Sequence, residues 1–198
     1  MQIQSATFLV SSPGYASCPD SQLPEFAFIG RSNVGKSSLI NTLTRKKDLA
    51  MVSSTPGRTR LINFFLINKK WALVDLPGYG YAKASGQHRN QFNEFVSDYI
   101  VKRPNLSCVF VLIDSRHTPQ NIDLEFTKWL VNHQVPFVLV FTKTDKVKPG
   151  AAQRNAELFT DAMGDFCDGL PRTYSSSAKT GDGRKDILSF IDQAVANF

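Results

Sequence analysis

A chain of 198 residues with 42% apolar content is long enough for one domain with a real core, and too apolar to be a disordered segment. Its net charge of +6 and pI near 9.3 point to a polyanionic partner such as RNA, although an ordinary solvated surface also carries an excess of this size. Cys18, Cys108 and Cys167 are odd in number and widely spaced, which argues against a disulfide framework or a metal-ligand set. No basic stretch leading into an apolar one opens the sequence, and the longest apolar runs, 108–113 and 135–141, are too short to cross a bilayer. A cytoplasmic protein without membrane contact is expected.

Residues 1–23 read as a lead-in in which 7–10 could pair as a strand, and 11–24, rich in Ser, Pro and Gly, as loop. From residue 24 onward, strands and helices alternate. Residues 25–29 form a buried strand, 36–44 a helix, and 51–59 an exposed loop. Residues 61–67 and 71–74 form a hairpin around Asn68, Lys69 and Lys70. A Gly-rich loop (78–86) precedes a helix over 89–101, with Phe92, Phe95, Val96 and Tyr99 at helical spacing. Then come a strand at 108–113, a helix at 123–132, a strand at 136–141, a helix at 150–166, a short strand at 173–175 and a closing helix at 184–197. Repeated strand–helix units predict an α/β domain over 24–198: a mostly parallel six-stranded sheet with one antiparallel edge strand and helices on both faces.

Gly30-Arg31-Ser32-Asn33-Val34-Gly35-Lys36-Ser37, followed by Ser38, matches the phosphate-loop pattern between a predicted strand and a predicted helix. Its glycines let successive backbone amides curl around a triphosphate at a helix N-terminus. Lys36 is placed to reach the β and γ oxygens, and the Ser37 hydroxyl to hold Mg²⁺. Downstream, Asp75-Leu76-Pro77-Gly78 closes a strand: the carboxylate can hold Mg²⁺ through water, and the Gly78 amide can bond the γ-phosphate. Between these segments lies Thr55-Pro56-Gly57-Arg58-Thr59. Thr59, the nearer threonine to the next strand, is the candidate for Mg²⁺ and γ-phosphate contact. Thr142-Lys143-Thr144-Asp145 supplies a base reader. Asp145 can accept both N1–H and the 2-amino group of guanine, which adenine cannot satisfy, and the Lys143 stem can cover the base. Ser177-Ala178-Lys179 adds a backbone amide for guanine O6. The expected catalytic set is Lys36, Thr59 and Gly78. The metal set is Ser37, Thr59 and Asp75, and the ligands are GTP or GDP.

These motifs, in this order, resemble the Era/TrmE-like group of translation-factor-class GTPases, and more closely the EngB (YihA/YsxC) family. The residues that carry the resemblance are the phosphate loop, Thr55 to Thr59, Asp75-Leu76-Pro77-Gly78-Tyr79-Gly80-Tyr81-Ala82, Asp114-Ser115-Arg116-His117 and Thr142 to Asp145. It covers the chain from about Phe26, and threonine at position 142 is usual in that family. The resemblance implies a P-loop NTPase G domain with little appended and a role in large ribosomal subunit assembly, linked also to cell division and septation. The implied partner is the large ribosomal subunit or its precursor, bound by a monomer.

Ras-like proteins place a water-orienting glutamine where Tyr79 stands, so hydrolysis is expected to be slow without a partner. Some relatives with asparagine at the Asn33 position bind K⁺, which makes K⁺ a candidate cofactor. Two other readings are a GTP-gated ribosome-binding module in which hydrolysis matters little, and an ATP-dependent P-loop enzyme, which Asp145 speaks against. Basic residues Arg45-Lys46-Lys47, Lys69-Lys70, Lys102-Arg103 and Arg184-Lys185 could supply phosphate contacts with RNA.

Overall fold

Three strands that are apolar along most of their length set the architecture: β2 (Glu25–Gly30), β5 (Leu106–Asp114) and β6 (Phe137–Thr142). Strands without a polar face must be covered on both sides, which calls for parallel neighbours and crossover helices. The computed structural model describes residues 1–50, 61–79, 94 and 96–198. The remaining elements are β1 (Ala6–Ser12), α1 (Lys36–Thr44), β3 (Ile62–Ile67), β4 (Trp71–Asp75), α3 (Asn121–Asn132), α4 (Ala151–Met163), β7 (Thr173–Ser175) and α5 (Arg184–Ala196). Residues 96–102 are helical and are labelled α2. The predicted helix over 89–101 thus lies partly outside the described residues, as do Thr55, Gly57, Arg58 and Thr59.

The sheet has seven strands in the order β1-β3-β4-β2-β5-β6-β7. This corrects the six strands read from the sequence. The lead-in strand is a full member, paired antiparallel with β3 from Ala6↔Ile67 to Ser12↔Ile62 across an irregularity between Phe8 and Val10. The strand that runs against the others is β3, antiparallel to both its neighbours and second from the edge. Asn68, in the hairpin turn at φ 50°, ties down the start of β1. Its side chain accepts from the amides of Gln4 (2.8 Å) and Ser5 (3.0 Å) and donates to the Gln2 carbonyl (2.8 Å).

Strand alternation divides the core between two faces. Phe26, Phe28, Phe110, Leu112 and Val140 pack with Leu39 and Leu43 of α1 and Ile187 and Ile191 of α5. On the opposite face, Ala27, Ile29, Val109, Val111, Leu139 and Phe141 pack with Tyr99 of α2, Leu130 of α3, and Phe159 and Met163 of α4. The registers of the parallel strands bring Gly30, Asp75, Asp114 and Thr142 to one end of the sheet. Crevices at the carboxyl ends of such strands are where open α/β sheets bind ligands. Among the described residues, no helix is long and apolar enough to cross a membrane.

Candidate nucleotide-binding site

The loop from β2 to α1 is curled by two left-handed residues, Asn33 (φ 61°) and Gly35 (φ 106°). It is closed by a bond from the Val34 amide to the Arg31 carbonyl (3.2 Å). Gly35 ends as the N-cap of α1, whose first amides have no helical acceptor. A curled backbone leading into free helix amides is suited to an anion. Ser37 and Ser38 are half-buried at the mouth of this curl, and Val34 is packed beneath it.

Lys36 and Asp75 meet directly, Nζ against Oδ1, with both side chains nearly buried. Burial pulls the Lys36 ammonium down from its ordinary value to about 7. The pair thus sets an ammonium group and a carboxylate side by side where phosphates and a cation would need them. Leu76 is buried behind the pair. Gly78 is pressed against the phosphate loop so closely that a Cβ there would lie 2.5 Å from the Gly30 carbonyl. The D-x-x-G segment and the phosphate loop are therefore in backbone contact, a proximity that spacing alone did not reveal.

The base-reading segment is bound to the same loop. The Thr142 hydroxyl lies 2.6 Å from the Val34 carbonyl and 3.2 Å from that of Ile113. Lys143, at φ 60°, donates through Nζ to the Asn33 carbonyl (2.6 Å) and to Asp114 Oδ2 (2.7 Å). Asp114 also accepts from Arg116 Nε (2.9 Å) and Nη2 (2.8 Å). Burial works against the Asp114 carboxylate, but hydrogen bonds from Arg116 and Lys143 outweigh it and hold the group well below the usual carboxylate range. Sequence reasoning quoted Asp114 and Arg116 within a motif yet gave them no role. The available signal was a charged residue closing an otherwise apolar strand.

Thr144 binds the Ser176 carbonyl through its amide (3.3 Å) and hydroxyl (3.2 Å), joining the segment to the loop after β7. In that loop Ser177 donates its hydroxyl to Asp145 Oδ1 (2.7 Å), which lowers the pKa of this exposed carboxylate and fixes its direction. Gly35, Ser38, Thr142, Lys143, Asp145, Ala178 and Lys179 together line one cleft of about 510 Å³. Asn41, Thr42, Lys47 and Lys146, which no motif flagged, line it too. Asn41 earns its place by holding the loop after α1: its side chain accepts from the Ala50 amide (2.8 Å) and donates to the carbonyls of Lys47 and Ala50 (both 3.0 Å).

A phosphate loop at a strand–helix junction, with a carboxylate from a second loop across the cleft, defines this chain as a P-loop GTPase G domain. Residues 25–143 match the family described as 50S ribosome-binding GTPase. The chain is 50% identical over 192 residues to the "Probable GTP-binding protein EngB" of Christiangramia forsetii, covering 97% of each chain. A crystal structure of a probable GTP-binding protein engB superposes with a TM-score of 0.70 at 24% identity, covering 88% of this chain and 100% of that one. Era in complex with MgGDPNP and nucleotides 1506–1542 of 16S ribosomal RNA superposes with a TM-score of 0.66 at 22% identity, over 85% of this chain and 55% of Era. The chain belongs to the EngB family of GTP-binding proteins.

Proposed function

We propose that this protein is a Mg²⁺-dependent GTPase that acts as a switch during large ribosomal subunit assembly. The observation that carries the reading is the shared cleft, which Gly35 and Ser38 of the phosphate loop line together with Asp145. Guanine would pair with Asp145 beside the Lys143 stem, with Thr144 and the Ser177-Ala178-Lys179 loop behind it. The phosphates would lie on the curl from Gly30 to Ser38, against Lys36. Ser37 and Asp75, with Thr59 as the sequence motif suggests, would supply hard oxygen donors of the kind Mg²⁺ takes, and the nearly buried Asp75 carboxylate fits that role. When bound, Mg²⁺ would neutralise charge on the β and γ oxygens. Lys36 supplies the second positive charge there, and the Gly78 amide meets the γ-phosphate. Water attacks the γ-phosphorus, the bond to the β-phosphate oxygen breaks, and GDP and phosphate leave. The Tyr79 phenol is bonded to a buried carboxylate, so it is not free to orient that water. Turnover is therefore slow until a partner completes the site, with K⁺ held near Asn33 a second way of supplying charge.

The matched family's description and the RNA-bound neighbour support ribosomal RNA and protein as the partner class. We place the protein in the cytoplasm as a monomer, with the nucleotide contacts confined to 24–198 and a link to cell division and septation. Titration of GTP, GDP and ATP against the protein and an Asp145→Asn variant tests the base reader. The native chain should prefer guanine nucleotides, and the variant should lose that preference in favour of xanthine. Turnover measured in K⁺ and Na⁺ buffers, with and without large subunits, tests the activation. Fast hydrolysis in Na⁺ alone would remove both routes.

A further inference from the structure

Tyr79 directly follows Gly78, yet its phenol turns into α3. The hydroxyl donates to Asp123 Oδ1 at 2.8 Å, and the ring stacks on Phe126 with centroids 4.4 Å apart at 24°. Asp123 is fully buried, an expensive position for a carboxylate without partners. Arg31 Nε lies 3.1 Å from its Oδ2, but without hydrogen-bond alignment. Among the described residues, the Tyr79 hydroxyl is thus the directed side-chain donor to this carboxylate. Burial and the adjacent Asp123 raise the phenol pKa well above its ordinary value, so Tyr79 stays protonated and donating.

The backbone is tied at the same point. Arg31 of the phosphate loop and Tyr79 form an isolated parallel bridge. Gly78 therefore sits between two restraints, the Gly30 carbonyl on one side and the Tyr79–Asp123 tether on the other. The stack continues along α3: Phe126 to Trp129 (6.0 Å, 18°), then Trp129 to His133 (4.4 Å, 35°), which is exposed. The second tryptophan, Trp71, starts β4 at the far end from Asp75 and packs against Phe26.

We propose that Tyr79, tethered to Asp123, is a positioning residue for the Gly78 amide, and that its ring stack carries the presence of the γ-phosphate to α3. The inference rests on the GTP reading above. GDP has no γ-phosphate for Gly78 to meet, so loss of the tether should act on one nucleotide and spare the other. A side chain that merely supported the fold would affect both alike.

The experiment measures affinities for GDP and for the non-hydrolysable analogue guanosine 5′-(β,γ-imido)triphosphate, together with tryptophan emission in each state. Tyr79→Phe keeps the ring and deletes the hydroxyl. It should weaken analogue binding about fivefold or more, the scale of one hydrogen bond, with GDP affinity nearly unchanged. Emission of the native protein should differ between the two nucleotides, and Trp129→Phe should abolish the difference. Asp123→Leu, which removes the acceptor at similar volume, is the second variant and should reproduce the selective loss if Tyr79→Phe folds poorly. An equal change for both nucleotides, no change for either, or identical native emission in both states would overturn the proposal. Failure of the native protein to bind GDP would instead sink the GTP reading.

Discussion

The Thr142 hydroxyl and the Val34 carbonyl, 2.6 Å apart, join the base-reading segment to the phosphate loop across 108 positions of sequence. The bond fixes the separation of the two segments that a nucleotide would span. Thr142→Val keeps the side-chain shape and removes the donor that the Val34 carbonyl accepts at 2.6 Å. The expected cost is about 1–3 kcal/mol. It should appear in denaturant unfolding and as faster GDP release, with Thr142→Ser retaining most of both. A valine variant with native stability and native release rates would show that the hydroxyl is not the joint.

Ser177 and Asp145 give a contrasting case. Their 2.7 Å bond holds an exposed carboxylate, but Ser177 itself is fully buried and its hydroxyl also accepts from the Thr180 amide (3.2 Å), so Ser177→Ala should cost the fold about 1 kcal/mol. What is lost is the pre-set direction of the carboxylate toward guanine. Calorimetry should show GDP binding about fivefold weaker, the scale of one neutral hydrogen bond, with a melting temperature lower by about 2–4 °C. A lowered melting temperature with native GDP affinity would mean that Ser177 supports the loop rather than the carboxylate.

The phosphate loop, α1 and the Thr142–Asp145 segment were legible because their information is local: a fixed spacing of glycines and charges beside an apolar run. The helix Lys36–Thr44 and the strand Thr173–Ser175 fall at the residues the pattern gave. Other features were hidden because they depend on partners far away in sequence. The lead-in strand was legible only as a possible pairing over 7–10; its place as the seventh strand over Ala6–Ser12 rests on β1 finding β3 and on Asn68 gripping Gln2, Gln4 and Ser5. Asp123 looked like an ordinary acid in the first turn of α3, a place where carboxylates need no explanation. Only the packed structure shows it buried beneath Tyr79.

Asp114 gives the site a pH dependence with a defined sign. Its folded-state pKa is depressed by Arg116 and Lys143 against the opposing effect of burial. The unfolded value is about 4, so the stabilisation is complete above that pH and is lost as the pH falls toward the folded value. Asp114→Asn should be less stable than the native chain at pH 7, by about 1–3 kcal/mol, since the carboxylate is buried but its partner Arg116 reaches solvent. Guanidinium unfolding at pH 7, 5 and 3.5 should show the gap holding at the first two values and narrowing at the third. A gap that stayed constant would mean that the carboxylate's charge is not what Asn removes.

Gly78 offers the sharpest steric test. An alanine Cβ would come within 2.5 Å of the Gly30 carbonyl and 3.4 Å of the Ser32 amide, both backbone atoms that cannot rotate away. Gly30 cannot retreat, because a Cβ placed there would already lie 2.7 Å from the Leu112 carbonyl. Gly78→Ala must therefore lift the D-x-x-G segment off the phosphate loop, at a cost of about 1–3 kcal/mol if the displacement resembles other overpacked sites. Because that displacement carries the Gly78 amide away from the γ-phosphate position, the GTP analogue should lose more than about tenfold in affinity and GDP clearly less, a differential of at least the strength of one charge-assisted bond. Parallel titrations of the two nucleotides decide it. If alanine left both affinities native, the close contact between Gly30 and Gly78 could not persist in the nucleotide-bound protein, and the γ-phosphate would have to be sensed by another group.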